Sequence, residues 1–142
     1  MTKTYPIPTP GLTNDLNDTK GKGPQRVKFT YDLYDAVAGE WCPGNDTEIE
    51  VDGLNPHIDL GVKLNKASWA EIGEDDHEDV VWAMAINGDH IESLLRVTAP
   101  HQFADDDQDM APFPEWKADQ AYLVAMTNDG RGHCSVIVAH RA

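Results

Sequence analysis

An all-β chain, folded as an antiparallel β-sandwich behind an extended N-terminal arm, is what this sequence predicts, and three observations predict it. Apolar residues recur at every second position in most segments from Arg26 onward, the period of strands with one buried face. Turn-forming clusters at Asn55-Pro56, Asn87-Gly88 and residues 128–132 separate these segments. The length, 142 residues and 15.7 kDa, is one domain's worth of chain, enough to bury about two thirds of its unfolded surface in a single core.

Residues 1–25 stand apart from the rest. They hold four of the nine prolines (Pro6, Pro8, Pro10, Pro24) and three glycines (Gly11, Gly21, Gly23), and their apolar residues Tyr5, Ile7, Leu12 and Leu16 keep no sustained period. Such a stretch is an extended arm that cannot bury itself. Three lysines against two aspartates give it a net charge of +1, which leaves −15 on residues 26–142. Arm and body are electrostatically complementary.

In the body, Val27, Phe29, Tyr31 and Leu33 alternate with Lys28, Thr30, Asp32 and Tyr34, so residues 26–34 are a strand. Ile49 and Val51 repeat the pattern over 47–52. Ile58, Leu60, Val62 and Leu64 predict a third strand. Residues 80–86, Val-Val-Trp-Ala-Met-Ala-Ile, are apolar on both faces as a central strand would be. Asn87-Gly88 is a strong hairpin signal, and Ile91, Ser93, Leu95 and Val97 read as the partner strand. Asp89 with Glu92 three residues later also fits a capping box opening a helix over 90–97; the Asn-Gly turn and the brevity of the segment favour the strand. The last hairpin joins 121–126 to 134–138. Two acidic loops, 73–79 and 101–114, interrupt the series.

Charge limits the partners. With 25 acidic against 11 basic side chains the formal charge is −14, so direct contact with nucleic acid phosphates or an anionic membrane begins from repulsion. The first residues contain no apolar h-region and no 18-residue apolar run occurs anywhere, which predicts a chain made without a signal peptide or membrane span. Cys42 and Cys134 have no C-x-x-C spacing, which excludes a zinc ribbon, a thioredoxin-type motif and a disulfide-dense scaffold. A single bridge between them is left open.

No cofactor, catalytic or metal site is predicted. Glu48-x-Glu50-x-Asp52-Gly53 followed by Asp59 imitates calcium-loop spacing, but the intervening Ile49 and Val51 belong to a strand whose solvated face the carboxylates occupy. The run 105–109 lacks the turning glycine. His90-Ile-Glu92 has no Pro-Cys-x-x-Cys partner, and His133 and Cys134, being neighbours on a strand, point to opposite faces. Cys134 reads as a small core side chain, and Trp69 and Trp82 as core. Trp41 and Trp116, beside prolines, fit either a cap on the core or a contact with a partner.

From Trp69 onward the order of features resembles the immunoglobulin and fibronectin type III sandwiches carried as appendages on phage virion proteins. Ser68-Trp69 would end an early strand, 80–86 would be the central strand, 121–125 the penultimate strand, and Asn128-Asp129-Gly130 would lead to a Val-rich final strand. The resemblance covers about half of the chain and implies that Tyr122 packs or hydrogen bonds at a corner. The inter-sheet disulfide of antibody domains has no counterpart at this cysteine spacing.

Together these features predict a non-enzymatic structural subunit of a large assembly, a phage or virus particle. It would be a capsid decoration, cement or tail-associated protein located in the virion, whose partners are other subunits or further copies of itself. Tyr5, Ile7, Leu12 and Leu16 would tether it to a neighbour. The alternative is an acidic inhibitor that mimics nucleic acid through Asp75, Asp76, Asp105, Asp106 and Asp107, within runs holding six carboxylates (71–79) and four (105–109).

Overall fold

A computed structural model describes residues 25–51, 57–71, 79–103, 112–128 and 130–142. Five strands form one antiparallel sheet: β1 (Gln25–Asp35), β2 (Glu40–Val51), β3 (Val80–Asn87), β4 (Ala121–Thr127) and β5 (Val136–Arg141), in the order β2-β1-β5-β4-β3. The β-rich antiparallel expectation holds, but the described residues contain a single sheet, and helices cover both of its faces. Helix α1 (His57–Glu71) carries the chain from the β2 edge to the β3 edge, packed on β2, β3 and β4. A 3-10 turn (Gly88–His90), α2 (Ile91–Thr98) and the single turn α3 (Pro100–Phe103) follow β3 and cover the opposite face.

Alternation fills both layers. Val27, Phe29, Tyr31 and Leu33 of β1, with Leu123, Ile137 and Ala139, meet Leu60, Leu64 and Trp69 of α1. On the other face Tyr34, Tyr122, Val124, Met126, Val136 and Val138 meet Ile91, Leu94, Leu95 and Phe103. Tyr34, assigned by its alternation to the polar face of β1, is therefore buried, because the second helical layer covers that end of the strand.

Two expected strands are helices. Over 58–64, Leu60 and Leu64 are sealed at 1% and 0% exposure while Ile58 and Val62 are 38% and 49% exposed, so the buried period is four and not two. Two polar residues, Asn65 and Ser68, complete the inward face, each with a hydrogen bond inside the helix. The Ser68 hydroxyl donates to the Leu64 carbonyl at 2.6 Å, and the Trp69 indole donates to Asn65 Oδ1 at 3.0 Å. Ser68-Trp69 therefore lies in α1 and ends no strand. Over 91–97 the buried residues are Ile91, Leu94 and Leu95, the i, i+3, i+4 stripe of a helix. Asn87-Gly88 opens a 3-10 turn in place of a hairpin. The capping box does not form either: His90 is the N-cap residue and makes no side-chain cap hydrogen bond.

β2 begins seven residues before the predicted 47, and β5 runs two or three residues later than the predicted 134–138. A bulge between Tyr31 and Leu33 absorbs Pro43 and Gly44, the latter at φ 72, a conformation that glycine adopts without a Cβ penalty. β2 is an edge strand, where the missing proline N–H costs no ladder bond.

Candidate functional site: an aromatic and acidic groove

The candidate site on the second layer is built on Asp32. The β2 bulge turns the Gly44 N–H onto Asp32 Oδ1 at 2.8 Å, and the Trp116 indole N–H donates to Oδ2 at 2.9 Å. That second bond draws the strap 112–117 across the sheet. Two further contacts fix the strap: the Lys117 N–H donates to the Tyr122 hydroxyl at 2.9 Å, and the Lys117 carbonyl lies so close to Gly88 that any Cβ there would collide with it.

So placed, the strap completes a cluster of five rings. Trp41 stacks against Tyr34, Phe113 and Trp116 at centroid distances of 5.1, 6.1 and 5.6 Å, and Phe103 closes on Tyr34 at 4.8 Å. Trp41 and Trp116 thus cap the second core layer. Between the strap and α2 lies an open groove of about 690 Å³, with Phe113, Trp116 and Pro112 along one wall and Asp89, Glu92 and Glu115 among its polar residues. Arg96 crosses it: its guanidinium sits 5.3 Å from the centroid of Phe113 and 2.7 Å from Glu92 Oε1. The groove already holds a cation between a ring face and a carboxylate.

A polar row borders this region. Asp46, Thr30 and His140 face one another across β2, β1 and β5, and the ring of Tyr122 meets His140 edge-on at 5.3 Å. The Thr30 hydroxyl donates to Asp46 Oδ1 at 2.8 Å, which with Lys28 nearby holds that carboxyl below its ordinary value. Burial pushes the His140 imidazole below its ordinary value, against the pull of Asp32. Both Asp32 oxygens accept other hydrogen bonds, so this carboxylate serves the scaffold of the groove.

The remaining predicted residues fall as follows. Trp69 and Tyr122 are buried, on opposite faces of the sheet, and Trp82 is half-buried against the second layer. Tyr122 packs and hydrogen bonds on β4, an inner strand of the sheet formed by the described residues. Cys134 is buried, and both cysteines are free thiols. Glu48 and Glu50 lie on the exposed face of β2, Glu48 within 3.5 Å of Arg26. The arm residues Tyr5, Ile7, Leu12 and Leu16, the acidic residues Asp75, Asp76, Asp105, Asp106 and Asp107, and Asp52 of the calcium-like spacing lie outside the described residues. Among the described residues no three His, Cys, Asp or Glu side chains gather as a metal site, and no helix is long and apolar enough to cross a membrane. Sequence reasoning passed over Asp32, Phe113 and His140. Only the pairing of Phe113 and Trp116 around Pro114 signalled a folded strap, and nothing local linked it to Asp32, 84 residues away.

No protein-family model, no curated protein and no solved structure matches this chain.

Proposed function

We propose that this chain is a non-enzymatic binding subunit of a large assembly, a phage or virus particle, in which it serves as a decoration, cement or tail-associated protein. One observation carries the binding half of that reading: the groove of the second layer sets the aromatic faces of a strap fixed by three contacts beside the carboxylates of Asp89, Glu92 and Glu115. Rigid rings beside charge are recognition chemistry, because they supply contact area at little ordering cost. The particle half rests on the proline-rich, cationic arm joined to a strongly acidic body and on the part of the resemblance to virion appendage domains carried by 121–125 and the Val-rich last strand, the immunoglobulin-like sandwich being the finer form of the fold expectation. Size and mass measurement of the full chain, alone and mixed with the particle of its source, tests it. Incorporation that is lost on Tyr5→Ser/Ile7→Ser supports the reading, and a stable monomer without affinity for any shell removes it.

The second reading, an acidic mimic of nucleic acid, draws on the −14 charge. On the described sheet, Asp46 and Glu48 lie within 3.5 Å of Lys28 and Arg26, which works against a continuous phosphate-like row there. In a mimic, changing Asp75, Asp76, Asp105, Asp106 and Asp107 to Asn abolishes partner binding, and binding weakens steeply with salt. In a decoration subunit the same five changes leave incorporation intact.

A further inference from the structure

We propose that the groove between α2 and the strap 112–117 is the receptor for arm residues 3–10 of a second copy of this chain. The inference rests on the assembly reading and adds which surface takes the arm.

The chemistry of the two partners matches. Lys3-Thr4-Tyr5-Pro6-Ile7-Pro8-Thr9-Pro10 carries proline at positions 6, 8 and 10, and proline restricts its own φ to about −65° and biases the residue before it toward extended backbone. Such segments favour the polyproline II helix and lose little chain entropy on docking, and aromatic-lined grooves are the surfaces that recognise them. With three residues per turn, Tyr5 and Pro8 share one ridge and Lys3 and Pro6 the next. An aromatic and proline ridge beside a cation suits a groove whose wall is Phe113 and Trp116 and whose polar residues include Asp89, Glu92 and Glu115. Arg96, only 23% exposed, already occupies a place between Phe113 and Glu92, so the arm's lysine finds the same chemistry at the remaining carboxylates. The contacts to Asp32, Tyr122 and Gly88 hold the strap in advance of binding.

The second-copy occupant follows from the assembly reading, since residues 11–24, at about 3.3 Å each, also span the distance to the arm's own groove. The strap is tied to Asp32 and the ring cluster to Tyr34, near the end of β1, whereas the arm joins β1 at Gln25. To reach its own groove the arm would double back along roughly 23 Å of strand, at about 3.3 Å per residue. An arm donated onward from copy to copy is a heterologous contact, the kind that builds rings and lattices.

The test uses the full chain with benzoylphenylalanine in place of Tyr5, mixed with an equal amount of uniformly 15N-labelled chain of natural sequence. After irradiation, mass spectrometry maps the crosslinks. Crosslinks from residue 5 of the light copy to residues 112–117 or 89–96 of the heavy copy support the proposal. Asp89→Lys/Glu115→Lys in the heavy copy changes two exposed side chains and leaves the fold intact; it should lower the crosslink yield roughly tenfold. An unchanged yield overturns the proposal. Crosslinks to other surfaces while the chain still assembles through its arm overturn the groove and leave the assembly reading standing. Crosslinks confined to single copies of a persistent monomer overturn both the second-copy occupant and the assembly reading.

Discussion

The Trp116 indole N–H donates to the Asp32 carboxylate at 2.9 Å, joining residues 84 positions apart and setting the strap against the sheet. Asp32 is doubly engaged, since its other oxygen accepts the Gly44 N–H of the bulge. A hydrogen bond to a charged group contributes about 1.5–3 kcal/mol. Trp116→Phe is therefore expected to lower unfolding free energy by about 2 kcal/mol, and Asp32→Ala by more because the bulge also loses its acceptor. In a urea-denaturation double-mutant cycle the pair should couple by about 1 kcal/mol. Strict additivity would mean that the strap is held from elsewhere.

Gly88 and Tyr122 hold the other side of the strap. Gly88→Ala puts a methyl group against the Lys117 backbone carbonyl, and a main-chain atom cannot swing aside as a side chain does. The expected loss is about 2–3 kcal/mol, with a change in Trp fluorescence as Trp116 moves. Tyr122→Phe removes only the acceptor of the Lys117 N–H and should cost about 1 kcal/mol. If Gly88→Ala is as mild as Tyr122→Phe, the strap is not seated on the 3-10 turn.

The sheet was far more legible in the sequence than its helical layers. β1 shows its faces through alternation, and β3, β4 and β5 through apolar runs, because a strand's pattern is written in neighbouring residues. The run of β3 suggested a central strand, but β3 is an edge of the sheet with Val81 exposed, and the inner strands are β1, β5 and β4. α1 was hidden by chemistry on both of its faces. Asn65 and Ser68 are polar yet buried, each with a hydrogen bond inside the helix, while the β-branched Ile58 and Val62 are exposed. The sequence over 58–64 thus imitates a strand. In α2, Ser93 and Val97 suggested alternation around Ile91 and Leu95, and only Leu94 betrayed the helical stripe. The groove was less legible still. Trp116 could be marked as a cap or a contact from its prolines, but its partner Asp32 looked like one more polar residue of an alternating strand.

Gly61 marks the closest approach of α1 to the sheet, which a strand assignment could not have anticipated. A Cβ there would lie 2.9 Å from Ala83 Cβ and 3.2 Å from Ala125 Cβ. Alanine recovers about 1 kcal/mol of helix propensity, against about 1–3 kcal/mol for overpacking two rigid methyl groups. Gly61→Ala is thus expected to cost about 1 kcal/mol net and Gly61→Val about 3 kcal/mol, read as thermal melting shifts. Ala83→Gly should relieve part of the Gly61→Ala loss, so that the double variant is more stable than the two single effects predict. If Gly61→Val melts like the parent, α1 stands off the sheet.

The polar row beside the groove predicts two separate pH windows for stability. His140 packs against the Tyr122 ring, with Asp32, Asp46 and Lys117 as its charged surroundings. Burial places its folded pKa below the ordinary 6.5, so below pH 6.5 the unfolded chain binds a proton that the folded chain still refuses. Its contribution is whole above that value, declines as pH falls toward the folded pKa, and levels off beneath it. Asp46 acts lower on the scale. The Thr30 hydroxyl holds its folded pKa below 3.8, and its contribution is present above 3.8 and lost as pH falls through the folded value. Denaturant midpoints measured from pH 8 to pH 2 should show both declines. His140→Gln is expected to flatten the upper one and leave the lower, while Thr30→Val should weaken the lower one alone. An upper decline that persists unchanged in His140→Gln would assign it to one of the other five histidines and remove the half-buried His140 imidazole from the account.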